Sequence, residues 1–243
     1  MKVRKLLCLL WPLLSAFPVQ ANDPTGSQDV LLPPTVKREY QSNDAMSLFT
    51  KMTEMNNEMF FAPGYSLNMS VEVPMVPTIK LSLYHRGDRD RMDVQNTSMY
   101  LHGDTVWIYD KEKNKVVIGD RKDAEITFGS PFKEKKEVPQ LTPGKDGKTF
   151  NDGKYTYTYR EEGPMIVYNG VRMKGNKDEN APKNIVLGVN RKTGLLSMMK
   201  SKVGVVSATI RFSGIKKDCP ESDVVFDASL YPDIQIETQP EKE

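Results

Sequence analysis

"LHGDTVWIYDKEKNKVVIGD", residues 101–120, is the stretch that decides the fold. Two runs of β-favouring residues, Thr105–Tyr109 and Lys115–Ile118, flank the charged turn DKEKNK. Such runs joined by turn residues mark a β-hairpin. Val106, Trp107, Ile108 and Tyr109 leave the first strand no wet face, so it is expected to be buried on both sides. Gly103-Asp104 supplies a turn before it, which implies a further strand upstream. The hairpin holds no nucleophile, metal-ligand pair or phosphate loop, and so reads as a wall.

The same period of two runs outward in both directions. Tyr65, Leu67, Met69, Val71 and Val73 alternate with Ser66, Asn68, Ser70 and Glu72. Ile79, Leu81 and Leu83 alternate with Lys80, Ser82 and Tyr84. This is the signature of strands with one apolar face. The charged turn "RGDRDRMDVQ", residues 86–95, leads into a strand around Met92 and Val94. Tyr155, Tyr157 and Tyr159 alternate with Thr156 and Thr158. Met165–Val171, Ile185–Val189, Leu195–Lys200 and Val203–Phe212 continue as a meander, and Val224–Phe226 gives a last short strand. Before the strands, Ala45, Leu48, Phe49, Met52 and Met55 recur at helical spacing behind a cap at Asn43 or Asp44. Residues 131–163 are charged and punctuated by Pro and Gly, and read as a long excursion from the sheet. The sum is a mainly β chain of about ten mostly antiparallel strands and one Met-rich amphipathic helix. A sheet with one apolar face must close, stack, or be covered by helix.

The first 21 residues read as a cleavable secretory signal: Lys2, Arg4 and Lys5, an apolar stretch from Leu6 to Phe17, then the small-residue site Val19-Gln20-Ala21. Residues 22–42 form a Pro-containing arm, 43–236 a single domain, and 237–243 an acidic tail expected to fray. Without the signal's three cations the net charge falls from +2 to −1. That excludes the basic stripe of a nucleic-acid binder. One cysteine, Cys219, remains after cleavage, so no internal disulfide is available and the core alone must hold the fold.

Catalytic and metal chemistry find no foothold. His85 and His102 are the only histidines, and neither has a second ligand at metal spacing. "GKDGKT", residues 144–149, has two residues between its glycines where a phosphate loop needs four. Cys219 has no neighbouring base in sequence. Carboxylates are scattered on turns, and no pair stands out. No cofactor is expected.

Three blocks carry a resemblance: "HGDTVWIYDKEKNKVVIG", "LSLYHRGDRDRMDV" and "NIVLGVNRKTGLLSMMKSKVGVVSATIRFSGIKKD…PESDVVFD". In this order, after an amphipathic helix, they resemble the outer-membrane lipoprotein carrier superfamily, the LolA/LolB-like fold. The resemblance implies an unclosed antiparallel β half-barrel covered by helices. Its apolar cavity would take up acyl chains of lipoproteins or other lipids in the periplasm. Partners would be an inner-membrane donor and an outer-membrane acceptor protein, and the chain itself would be a monomer. An arginine in the turn after the second strand closes the family's helical lid, and Arg86 is the matching position. Here Gly87, Asp88, Arg89 and Asp90 follow it, where the family has Pro and apolar residues, so Asp88 and Asp90 are competing partners for Arg86.

The physics of cargo agrees with an apolar face. Each CH₂ taken from water contributes about 0.8 kcal/mol, so a free acyl chain does not cross water unaided. Methionine suits a lining that must fit several chain shapes, and twelve of the thirteen follow the signal. The expected lining is Leu48, Phe49, Met52 and Met55 on the helix, with Leu67, Met69, Val71, Leu81, Met92, Met99, Trp107 and Met198 on strands. Trp107 is ambiguous, because both faces of its strand are apolar. Two other functions compete with a carrier: a lipid- or partner-binding sensor on the same fold, and a secreted hydrolase on a β scaffold. The sensor would usually bring a tether or second domain, and the hydrolase would need a convergent catalytic pair.

Overall fold

The structure is a computed structural model, and it describes residues 42–121, 137–176, 181–203 and 206–238. The signal segment, the arm up to residue 41, residues 131–136 of the charged stretch and the tail from 239 lie outside the described residues. Helix α1 (Ser42–Phe60) opens the described chain. Asp44 falls in its first turn, where a carboxylate suits the positive end of the helix. Six strands follow: β1 (Gly64–Glu72), β2 (Ile79–Arg86), β3 (Arg89–Val94), β4 (Thr97–His102), β5 (Thr105–Asp110) and β6 (Lys115–Asp120). Then come β7 (Thr142–Pro143), β8 (Thr149–Asn151), β9 (Tyr155–Glu162), β10 (Met165–Arg172), β11 (Asn184–Asn190), β12 (Leu196–Val203) and β13 (Val206–Lys216). Two 3₁₀ turns, Glu221–Asp223 and Ala228–Leu230, precede β14 (Gln235–Thr238). Among the described residues no helix is long and apolar enough to cross a membrane.

All fourteen strands form one sheet in the order β14-β6-β5-β4-β3-β2-β1-β13-β12-β11-β10-β9-β8-β7. Each neighbouring pair is antiparallel except β14 with β6. No pairing joins β7 to β14 among the described residues, so the sheet is unclosed. The opening hairpin is β5–β6, with Trp107 opposite Ile118 and Tyr109 opposite Val116.

The pairing carries apolar rows straight across the sheet on the side that meets α1. One row runs Leu67, Leu83, Met92, Met99, Ile108, Val117. A second runs Phe212, Met69, Leu81, Val94. A third runs Tyr168, Leu187, Met199, Ile210, Val71, Ile79. A register shift beside Gly188 lets Leu196 join this inner face opposite Val189. Gly170 also lies on it, because a Cβ there would sit 2.7 Å from the Tyr157 ring and 2.8 Å from Ile185. Only glycine lets the tyrosine cross the strand at that point.

Three sequence expectations change. Residues 142–163 do not leave the sheet: β7, β8 and β9 are its far edge, and Phe150 pairs opposite Tyr157. Val224–Phe226 is not a strand but the turn after Glu221–Asp223. The tail expected to fray from 237 instead begins inside β14, Gln235–Thr238, which pairs parallel to β6. Short length explains each of these except β9, whose Tyr–Thr alternation shows in the sequence. The pattern of β8 and β14 spans three or four residues, too few for periodicity to show, and their partners are set by the sheet.

Candidate functional site

The inner face is the candidate site, and α1 covers one end of it. Ala45, Phe49, Met52, Met59 and Phe60 are the buried apolar face of the helix. Phe49 sits among Phe150, Tyr157 and Tyr168, at ring-centroid distances of 5.3, 4.8 and 5.2 Å. At the other end Phe60 packs edge-on to Tyr65 on β1. Two polar ties join helix to sheet. The Tyr168 hydroxyl donates to the Ala45 carbonyl at 2.7 Å, and Lys217 pairs with Glu58. Burial holds the Tyr168 hydroxyl well above the usual tyrosine range. Within the helix, Asn56 Nδ2 donates to the Met52 carbonyl, while its buried Oδ1 has no partner among the described residues. A cleft of about 460 Å³ lies along the opposite flank of α1, between Met46, Ser47, Thr50, Lys51, Glu54 and Leu141.

Most of the expected lining converges here. Phe49, Met52, Leu67, Met69, Val71, Leu81, Met92 and Met99 are buried on one continuous apolar cluster, and Leu48 packs against it half-buried. Met55 is half-buried and stands outside the cluster. Two residues are corrected by register. Trp107 pairs with Tyr100 and Ile118, and Met198 pairs with Arg211, all on the outer face. Their neighbours Ile108 and Met199 point inward instead, since alternate residues of a strand take opposite faces. Phe150, Tyr157, Tyr168, Leu187, Ile210 and Phe212 are inner-face residues that the sequence reading missed. The Tyr-Thr alternation at 155–159 was the usable signal, since period two places Tyr157 with the apolar rows.

Arg86 is on the outer face, opposite Gly64, and none of its described contacts reaches α1. Its guanidinium donates to the Cys219 carbonyl at 2.6 Å and to Asp218 at 3.4 Å. The two aspartates expected to compete for it are engaged elsewhere: Asp88 with His102 at 3.1 Å, Asp90 with His85 at 2.8 Å. Arg86 is the first of three arginines that fasten residues 217–238, a strap crossing the outer face from β1 to β6. Arg89 pairs with Glu221. Arg91 donates to the Asp223 carbonyl at 3.2 Å, grips Asp93 through two bonds, and lies over the rings of Tyr84 and Tyr100. Farther along, Phe226 and Tyr231 stack on each other and meet Tyr100 and Tyr109. Asn114 closes the run, donating to the Pro232 carbonyl.

The chemistry of these groups is that of packing. Cys219 is buried, and burial together with the Asp223 carboxylate pushes its thiol up, away from the reactive thiolate. Among the described residues no three His, Cys, Asp or Glu side chains converge as a metal site.

No family model matches this sequence, and no curated protein matches it. Solved structures similar to it include LprF from Mycobacterium bovis, at 9% identity and a TM-score of 0.44, covering 74% of this chain and 96% of that one. A LolA superfamily protein from Nitrosomonas europaea matches at 9% identity and a TM-score of 0.27, covering 77% and 99%. A chain of the Pseudomonas aeruginosa MucA/MucB complex matches at 11% identity and a TM-score of 0.43, covering 76% of this chain but 62% of that one. At TM-scores below 0.5 these likenesses carry no argument about this chain.

Proposed function

We propose that this protein is a periplasmic binding protein, not an enzyme, that shelters acyl chains of lipids or lipoproteins on the inner face during transport towards the outer membrane. One observation carries this: apolar rows cross from β6 to β10 on a single face of an unclosed sheet, while the described helix is seated chiefly at the β8–β11 end. The lining is Met69, Met92, Met99 and Met199 among branched aliphatics, a surface that adapts to chains of different shape. Entry of a chain exchanges one apolar contact for another: α1 lifts Met52, Met59 and Phe49 from the sheet, and the acyl chain takes their place. The strap keeps the other face of the wall closed throughout. Cargo would be received from an inner-membrane donor and passed to an outer-membrane acceptor.

Native mass spectrometry of the protein purified from its secreted compartment, followed by solvent extraction, tests this. Co-purifying phospholipid, fatty acid or acylated peptide is the expected result. A clean apo mass, together with failure of an added acyl-chain fluorophore to bind, would reassign the inner face to a filled core.

A further inference from the structure

The outer face of the sheet differs in its two halves. Over β3–β6 it is aromatic and strapped. Over β2, β1, β13 and β12 it is polar and cationic. The register places Lys80, Arg211, Lys216, Lys200 and Lys202 on this side, separated by Ser70, Thr209, Ser213 and Asn68. The one carboxylate among them, Glu72, is bound to Arg211 at 2.9 Å. Lys80, Lys200 and Lys202 are exposed and have no carboxylate partner among the described residues. Strands are about 4.8 Å apart, so these charges spread over a face about 14 Å across from β2 to β12 and do not form a pocket. At the edge of the same surface, the turn between β1 and β2 holds Met75 fully exposed, between Pro74 and Pro77. Its φ is +64°, a left-handed conformation unfavourable for a methionine. An apolar side chain kept in water at a strained turn gains nothing within the fold.

We propose that this face, with the Met75 turn at its edge, docks on an anionic lipid surface. A spread of lysines over small hydroxyl residues matches a diffuse negative surface, which attracts each cation with about 1 kcal/mol. A protein partner would call for what this face lacks, buried aromatic or arginine anchors in fitted pockets. Met75 would enter the acyl boundary while the lysines stay among headgroups, the division of labour that holds interfacial segments on bilayers. Docking goes beyond the acyl-binding reading and does not depend on it, since it involves the opposite face.

The test is co-sedimentation of the full chain with vesicles of phosphatidylcholine alone and of phosphatidylcholine with phosphatidylglycerol. Binding is expected only with phosphatidylglycerol, and is expected to fall as salt rises. The variant Lys80→Gln/Lys200→Gln/Lys202→Gln should bind about a hundredfold more weakly, about fivefold per lysine. Met75→Ser should weaken binding severalfold while leaving the salt dependence unchanged. All four positions are exposed, so circular dichroism should show an intact fold. Equal binding to both vesicles, or wild-type binding by the triple variant, overturns the proposal. Binding of soluble polyglutamate as tight as that of the anionic vesicles also overturns it, and assigns the face to an acidic protein. The acyl-chain fluorophore reports the inner face separately, so loss of docking and loss of the cavity are distinguishable.

Discussion

At the scale of single residues, Tyr168 and Arg86 divide the two faces between them. Tyr168 reaches from β10 to the Ala45 carbonyl and ties the start of α1 to the sheet. Tyr168→Phe removes that bond and leaves the ring packed against Phe49. The loss costs about 1 kcal/mol, the net worth of one hydrogen bond. If the helix lifts when a chain enters, the open form becomes easier to populate, and an acyl-chain probe should bind up to about fivefold tighter. Fluorescence titration measures this; unchanged affinity would mean that the Ala45 end of α1 does not move. Arg86→Leu acts on the strap instead. It removes the donor to the Cys219 carbonyl from a half-exposed position. Chemical denaturation should show a loss of about 1–2 kcal/mol, typical of a bond from a charged donor, with probe release unchanged. A changed release rate with an intact fold would restore to Arg86 the gating role that the resemblance implies.

Among the elements, the strap is the part that the sequence concealed. Its contacts join residues more than a hundred positions apart, as in Arg91 to Asp223 and Asn114 to Pro232. Periodicity reports only neighbours along the chain, so the sequence offers Arg86 only a lid or the nearby Asp88 and Asp90 as partners. Phe226 is the strap's anchor, touching Tyr100, Tyr109 and Tyr231. Phe226→Ala should cost about 3 kcal/mol, at the low end for truncating a large aromatic because the ring is only half-buried. Hydrogen exchange should quicken in β14 and β6 and leave β10 and β11 protected. Uniform loss of protection across the sheet would show that the strap is not a separable unit. α1, by contrast, was legible: Ala45, Phe49 and Met52 at helical spacing are its buried stripe.

For the molecule as a whole, most of the inner face is legible in the alternation of the sequence. Leu67, Met69, Val71, Leu81, Met92 and Met99 follow from period two alone. Where both faces of a strand are apolar, alternation has no contrast and does not assign a face. Trp107 could be assigned only by its pairing with Tyr100. The tyrosines of β9 and β10 matter to the whole fold in another way. Burial raises the hydroxyls of Tyr157 and Tyr168, and burial with the Tyr231 hydroxyl raises that of Tyr100. The folded chain therefore keeps protons that the unfolded chain has already released. Stability from these groups is intact below the unfolded tyrosine value of about 10, and falls as pH climbs from there through the raised folded values. Phenolate absorbance should rise together with loss of circular dichroism in alkali. Ionisation of all ten tyrosines with the fold intact would contradict this.

Hydrogen exchange of α1 in the presence of a saturating acyl-chain probe tests most directly whether acyl chains bind where the helix leaves the sheet. The probe should bind, amides of 45–60 should exchange faster once it is bound, and β10 and β11 should become better protected. Binding with α1 as protected as in the free protein, or no binding at all, would contradict a site formed where the helix leaves the sheet.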